Sequence, residues 1–349
     1  MEKNQPILDG IDPDITDRLV TRRDAIRQGA TASAALTWGL SFASVPLALA
    51  ALSKDAYAQG APQAVIDVLQ FAFILENLEN EFYKAVLGTS AVAAQNTAFA
   101  PVRGLIGSAP QSAALTAAFT QIQKHEQQHV DFLRTTITGL GATAPTITAN
   151  DFDFTGGNGG STPGPFVRAT TELEFLLLAA QAFEDTGVRA YKGQAGNLLV
   201  AGNPVADVVL ESALRIHSVE ARHAAKIRRV RRQRNPGETA LRFSGYVRGS
   251  GVAAAGASMI SNPPAEVVAA LNLIYGGTTS ESNTSHAVFN DVANAAATID
   301  AATLTGVTMA GGETQAEAAR MAFDEPLTKA EVITIVQGFI KNDATRGLP

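Results

Sequence analysis

The sequence predicts an all-α protein, a four-helix bundle with one long crossover, followed by a mostly helical C-terminal extension. Three observations carry this reading. Four segments of helical length are apolar enough to pack as one bundle, and chemistry-bearing pairs recur along them in alternation. A long glycine-containing stretch separates the second segment from the third, whereas a short loop joins the third to the fourth. Hydrophobic residues are 46% and charged residues 17% of the 349, so most of the chain should fold.

The first helix is expected from about Gln63 to Leu87. Its apolar start is Asp67-Val68-Leu69-Gln70-Phe71-Ala72-Phe73-Ile74-Leu75. Pro62 suits the first turn and Gly88 the stop. The second runs from about Ser112 to Thr138, with Gly139 ending it. The third follows Pro165 and runs to about Gly193, and the fourth follows Pro204 and runs to about Gln233, before Asn235-Pro236. Gly156-Gly157-Asn158-Gly159-Gly160, in the long connection, reads as slack in a crossover that lets the second and third helices run parallel. It lacks the Lys-Ser/Thr of a phosphate loop.

After Pro236 the pattern weakens. Pro264 to Tyr275 reads as a short helix, Ser280 to Thr284 as loop and Glu313 to Phe323 as helix. Thr328 and Glu331 form a capping-box pattern. The helix it opens carries Val332, Ile333, Val336, Phe339 and Ile340 on one face. The expected division is an export signal over 1–58, the bundle over 62–235, and an extension over 236–349 that packs on the bundle.

The signal rests on Thr21-Arg22-Arg23-Asp24-Ala25-Ile26, an uncharged run from Gly29 to Leu52, and a small-x-small cleavage pattern at Ala56-Tyr57-Ala58. The Arg-Arg pair before a mildly apolar run resembles a twin-arginine signal, although Ala25 stands where Phe is commonest. The expectation is a periplasmic or secreted protein with no stable membrane span after cleavage. A membrane anchor is the competing reading, weakened by Pro46 and the many small residues.

Composition narrows the chemistry. A net charge of −6 points to no nucleic acid. With Cys 0 there is no disulfide, zinc-thiolate site or thiol nucleophile, so metal chemistry falls to carboxylates and the five His. Glu76 is followed seven residues later by Tyr83, and Glu184 likewise by Tyr191. Glu126 is followed three residues later by His129, and Glu220 likewise by His223. Seven residues is about two helical turns and three just under one, so each pair shares a face. In a bundle, four carboxylates and two imidazoles would meet in the core, and the repeat implies a pseudo-twofold axis. Four buried carboxylates are untenable without cations, and two divalent ions offset them. One His per metal among carboxylates suits iron or manganese better than structural zinc. Glu126 and Glu220 can bridge the ions, Glu76 and Glu184 can bind terminally, and His129 and His223 can each hold one ion.

These segments resemble the ferritin-like superfamily of di-iron and di-manganese carboxylate bundles. They are similar, more narrowly, to bacterial ferritin-like domain proteins related to plant desiccation-related proteins. The resemblance is carried by Leu75-Glu76-Asn77-Leu78-Glu79-Asn80-Glu81-Phe82-Tyr83, the two Glu-x-x-His pairs and Phe183-Glu184-Asp185-Thr186-Gly187-Val188-Arg189-Ala190-Tyr191. Phe323-Asp324-Glu325-Pro326-Leu327-Thr328 resembles the narrower group. It implies one Glu from each of the first and third helices and a Glu-x-x-His from each of the others. It also implies two iron or manganese ions, and oxygen or peroxide as the small-molecule partner.

Other residues have plainer readings. Glu79 competes with Glu76, which is favoured because it alone keeps the spacing to Tyr83. Tyr83 and Tyr191 are read as hydrogen-bonding partners of the ligand carboxylates, with a redox role as the sharper alternative. His217 reads as a neighbouring histidine, His125 turns away from Glu126, and His286 carries no visible role. Lys226, Arg228, Arg229, Arg231, Arg232 and Arg234 read as cations favoured at a helix C-terminus. The leading function is an exported redox protein acting on oxygen or peroxide, or protecting against oxidative or desiccation stress. The alternative is a metal-binding or structural stress protein with little turnover. Iron storage would need a closed cage that no feature argues for, and a homo-oligomer is left open.

Overall fold

The computed structural model describes residues 60–110, 112–234, 263–276, 280–290, 295–304 and 314–341. The export-signal segment lies outside them. No helix among the described residues is long and apolar enough to cross a membrane.

Four long helices form the bundle: α1 (Gln63–Leu87), α4 (Ser112–Gly139), α5 (Leu173–Ala195) and α6 (Pro204–Arg234). Two short helices, α2 (Ala93–Ala98) and α3 (Ala100–Ser108), lie between α1 and α4. Gly88 ends α1 in the left-handed region, at φ 81°. Arg103 of α3 then donates to the Val86 carbonyl (2.9 Å), one of the acceptors that a helix end leaves unpaired. Neither α2 nor α3 was expected from the sequence: at 6 and 9 residues they are too short for a helical repeat to stand out.

Chain directions follow from the contacts. Along α1, Phe73 lies beneath Arg134, Glu76 meets His129, and Asn80 meets Gln127 and Gln123, so α1 and α4 are antiparallel. Glu76 meets Tyr191 and Tyr83 meets Glu184, so α1 and α5 are antiparallel too. The helices α4 and α5 are therefore parallel, and residues 140–172 must traverse the bundle. The expected third helix starts later than Pro165 suggests. A 3₁₀ turn over Val167–Thr170 comes first, and Glu172 is extended before α5 begins.

The crossover glycines are not slack. Gly156, Asn158 and Gly159 all have positive φ, which glycine adopts most readily. A Cβ on Gly164 would lie 2.2 Å from the Gly157 nitrogen. The Asp153 carboxylate accepts from the Thr155 and Gly159 N–H groups (3.0 and 2.9 Å) and so closes the loop on itself. Asp153 N–H donates to the Phe339 carbonyl, and Asn158 N–H to that of Gly338, both at 2.8 Å. Phe82 makes edge contacts with Phe154 and Phe183, and Phe166 and Phe183 both pack on Phe339. The crossover is thus clamped between the bundle and residues 338–341.

In the extension, α7 (Ala265–Tyr275), α8 (Gln315–Met321) and α9 (Lys329–Val336) fall where helices were expected. The Thr328–Glu331 capping box is formed, and Val332, Val336, Phe339 and Ile340 are buried. The antiparallel pair β1 (Ser285–Asn290) and β2 (Ala295–Asp300), with Ser285 opposite Asp300, was not foreseen. Its alanines are poor strand formers, and pairing rather than propensity selects the conformation.

The extension grips α5 closely. Arg189 is buried, donates through Nε to the Glu325 carbonyl (2.7 Å) and pairs with Glu281 (2.9 Å). Leu327 N–H donates to the Arg189 carbonyl at 3.1 Å. A Cβ on Gly193 would lie 1.8 Å from the Leu327 carbonyl oxygen. Gly193→Ala should therefore push this segment off the bundle at a cost of about 1–3 kcal/mol. Hydrogen exchange should speed up over residues 325–336 while α1 and α4 keep their protection. Unchanged exchange there would count against a close-packed dock.

Candidate metal centre

Each bundle helix points its acidic residue inward at the same level. Glu76, Glu126, Glu184 and Glu220 are all fully buried, and His129 and His223 are buried beside them. The six residues fall into two overlapping groups with ligand-competent atoms within 4.8 Å of one another. One is Glu76, Glu126, His129 and Glu220, and the other is Glu126, Glu184, Glu220 and His223. Glu126 and Glu220 belong to both groups, the placement that bridging carboxylates between two ions require.

Each histidine turns Nδ1 toward the carboxylates. His129 Nδ1 lies 3.0 Å from Glu76 Oε2, 3.1 Å from Glu126 Oε2 and 3.2 Å from Glu220 Oε1. His223 Nδ1 lies 2.8 Å from Glu126 Oε1 and 3.2 Å from Glu184 Oε2. Glu126 Oε1 and both Glu220 oxygens nevertheless accept no well-directed hydrogen bond among the described residues. The nearest imidazole nitrogens lie within ion-pair range but off the hydrogen-bond direction. Buried carboxylate lone pairs without a donor are costly, and a cation satisfies them. On this observation the residues fit a pair of divalent ions.

Electrostatics agrees. Burial raises Glu126 well above the usual carboxylate range, and the Glu220 charge adds to it. Burial raises Glu184 to about 7 against the opposing pull of His223. Burial would raise Glu220 as well, but the imidazoles of His129 and His223 outweigh it and hold it below the usual range. Burial would lower both histidines, yet the surrounding carboxylates raise them, Glu76 foremost for His129 and Glu184 for His223. Without metal, protons do the charge compensation that cations would otherwise do.

The tyrosines do not serve the glutamate of their own motif. Tyr83 donates to Glu184 Oε1, and Tyr191 donates to Glu76 Oε1 at 2.5 Å. The exchange follows the pseudo-twofold relation and ties α1 to α5. Tyr83→Phe or Tyr191→Phe should each weaken metal retention about tenfold, as loss of an orienting partner typically does. Competition with a chelator reads this directly, and undiminished retention would make the tyrosines packing residues.

Three features escaped the sequence reading. Glu79 is buried as a fifth carboxylate, raised by burial first and then by the Glu220, Glu184, Glu126 and Glu76 charges. It sits opposite Gly187, where a Cβ would lie 3.2 Å from Glu79 Oε1 and 3.3 Å from Glu220 Oε2. Its spacing from Glu76 was visible, but the narrow approach of α5 at Gly187 was not. His125 does turn away from the carboxylates, but its ring stacks on His223 and its Nδ1 lies 2.9 Å from His223 Nε2. Arg228 and Arg231, read as ordinary helix-end cations, are buried and face inward. Arg228 pairs with Asp185, which also accepts from Tyr275 (2.5 Å), and Arg231 donates to Gln181 (2.6 Å). His217 is half-buried, with Lys192, Asp324 and Glu220 as its charged neighbours, and His286 stacks on Phe323; neither belongs to the two ligand groups.

Comparison with known families gives one result. Residues 64–233 match the model of the ferritin-like domain family, a span that holds all six cluster residues and all but the outermost residues of the four bundle helices. No match was found among curated proteins or solved structures. The buried carboxylate and histidine cluster, the parallel α4 and α5 and the family match agree: the chain carries a ferritin-like domain over its helical bundle.

Proposed function

We propose that this is an exported ferritin-like protein with a dinuclear iron or manganese site that reacts with oxygen or peroxide. The observation that carries the reading is the sharing of Glu126 and Glu220 between two ligand groups, with their oxygens short of hydrogen-bond donors. Glu76 and His129 would hold one ion, and Glu184 and His223 the other. Bound there, the ions would supply electrons and Lewis acidity. The chain's own part is to orient and to exclude water. Tyr83 and Tyr191 hold Glu184 and Glu76 in place, and His125 meets the outer nitrogen of His223. The apolar bundle keeps bulk solvent out. Export is supported by Arg22-Arg23 and the uncharged run after it, and a twin-arginine route would deliver the protein folded, with its metal loaded.

Metal analysis of the purified mature chain, with ferrous-oxidation and peroxide-consumption assays, tests the reading. About two ions per chain with turnover support it, two being the number the paired ligand groups would hold. Metal without turnover would favour the stress-protein alternative, with which the full burial of the four glutamates agrees. Native protein without metal would overturn both.

A further inference from the structure

Two apolar pockets, partly open to the surface, adjoin between the bundle helices, each about 20 Å³, enough for a molecule about the size of water. They share Val68, Ala72, Tyr191, Leu198 and Ala213 as common walls, so they lie side by side. Their walls are the carboxylate helices themselves, displaced by one turn. Ala72 stands four residues before Glu76, Ile216 four before Glu220, and Phe132 three after His129. A helical turn rises about 5.4 Å, so this space is stacked on the candidate metal centre along the bundle axis. Tyr191 spans the two, lining both cavities while its hydroxyl donates to Glu76.

The lining has little free polar function: Gln194, beside the second cavity, is the exception, and its Oε1 accepts from Asn197 at 2.9 Å. Thr136 Oγ1 donates to the Phe132 carbonyl and Ser212 Oγ to that of Val208, both at 2.9 Å within their own helices. The Tyr191 hydroxyl is committed to Glu76. A water or a peroxide entering here would surrender its hydrogen bonds to solvent with little in return. Apolar linings favour non-polar guests such as xenon over water.

We propose that the adjoining pockets are a binding site for a small neutral gas molecule of dioxygen's size and polarity. They would hold it one helical turn from the carboxylates and disfavour peroxide. The role assigned to the guest rests on the dinuclear reading above, but the site itself does not. Ala213 is only partly buried and marks the mouth, whereas Ala72 lies inside.

Xenon uptake, read by ¹²⁹Xe NMR on metal-free and metal-loaded chains, tests the site. Ala213→Phe should plug the mouth and abolish the xenon signal. It should slow ferrous oxidation by dioxygen about tenfold while leaving oxidation by hydrogen peroxide unchanged. If that variant fails to fold, Ala72→Val, which narrows the interior by two methyl groups, should still weaken xenon binding. Absence of xenon from the unaltered chain would overturn the proposal. So would loss of xenon without selective slowing of the dioxygen reaction in loaded protein. If the chain takes up no metal, the dinuclear reading fails while xenon still decides whether the cavity binds gas.

Discussion

Chains carrying Glu126→Ala and His129→Ala together should take up no metal, and should unfold at the same temperature with or without it. The pair removes one carboxylate common to both ligand groups and the imidazole of the first group. Neither group then keeps its set of ligands. A ligand that binds only the folded state stabilises it by mass action. Free ion at about 100 times its dissociation constant adds about 2.7 kcal/mol. For a domain of this size each kcal/mol moves the midpoint by about 2–4 °C. The unaltered chain should therefore melt several degrees higher with metal than after chelation, and the double variant should show no such difference. Gln128→Ala, exposed on the same helix, is the control and should behave as the parent. A metal-dependent shift surviving in the double variant would place the site elsewhere.

The second large effect is an opposite pH response of the chelated and loaded chains. In the metal-free protein Glu184 is raised from 4.5 to about 7, chiefly by burial, and Glu79 and Glu126 are raised with it. A carboxyl raised in the fold keeps its proton after the unfolded chain has released it, so stability falls as pH rises through that window. His129 and His223 are also raised, so their stabilisation is complete below 6.5 and fades above it. Glu220 is lowered, and its contribution is lost only on acidification below 4.5. Between about pH 5 and pH 8 the signs agree, and the chelated chain should melt at progressively lower temperature. Metal binding needs ionised carboxylates and neutral imidazoles, so loading should strengthen over the same range. Glu281, raised to about 8 by burial, acts in the direction of Glu184 but lies outside the cluster. The difference between loaded and chelated melting curves therefore isolates the centre. Parallel curves across this range would dispose of the metal-site reading.

Helix positions and the cluster were legible because both depend on short-range periodicity. Pro62, Gly88 and Pro204 mark the ends of α1 and the start of α6 by their own backbone restrictions. Seven- and three-residue spacings place Glu76, Glu126, Glu184, Glu220, His129 and His223 on inward faces regardless of what the helices meet. The hairpin of β1 and β2 was illegible because β2 opens on a run of alanines and each strand forms only when paired with the other.

Helix periodicity settles which residues face the core and at what interval, since a helix repeats every 3.6 residues wherever it is placed. Tertiary structure alone decided which groups meet. It crossed Tyr83 to Glu184 and Tyr191 to Glu76, and stacked His125 on His223. It brought Glu79 against Gly187, turned Arg228 and Arg231 inward, and clamped the crossover glycines onto residues 338–341. Each of these joins parts of the chain far apart in sequence. Such contacts depend on the directions and separations of packed helices, to which no local repeat is sensitive.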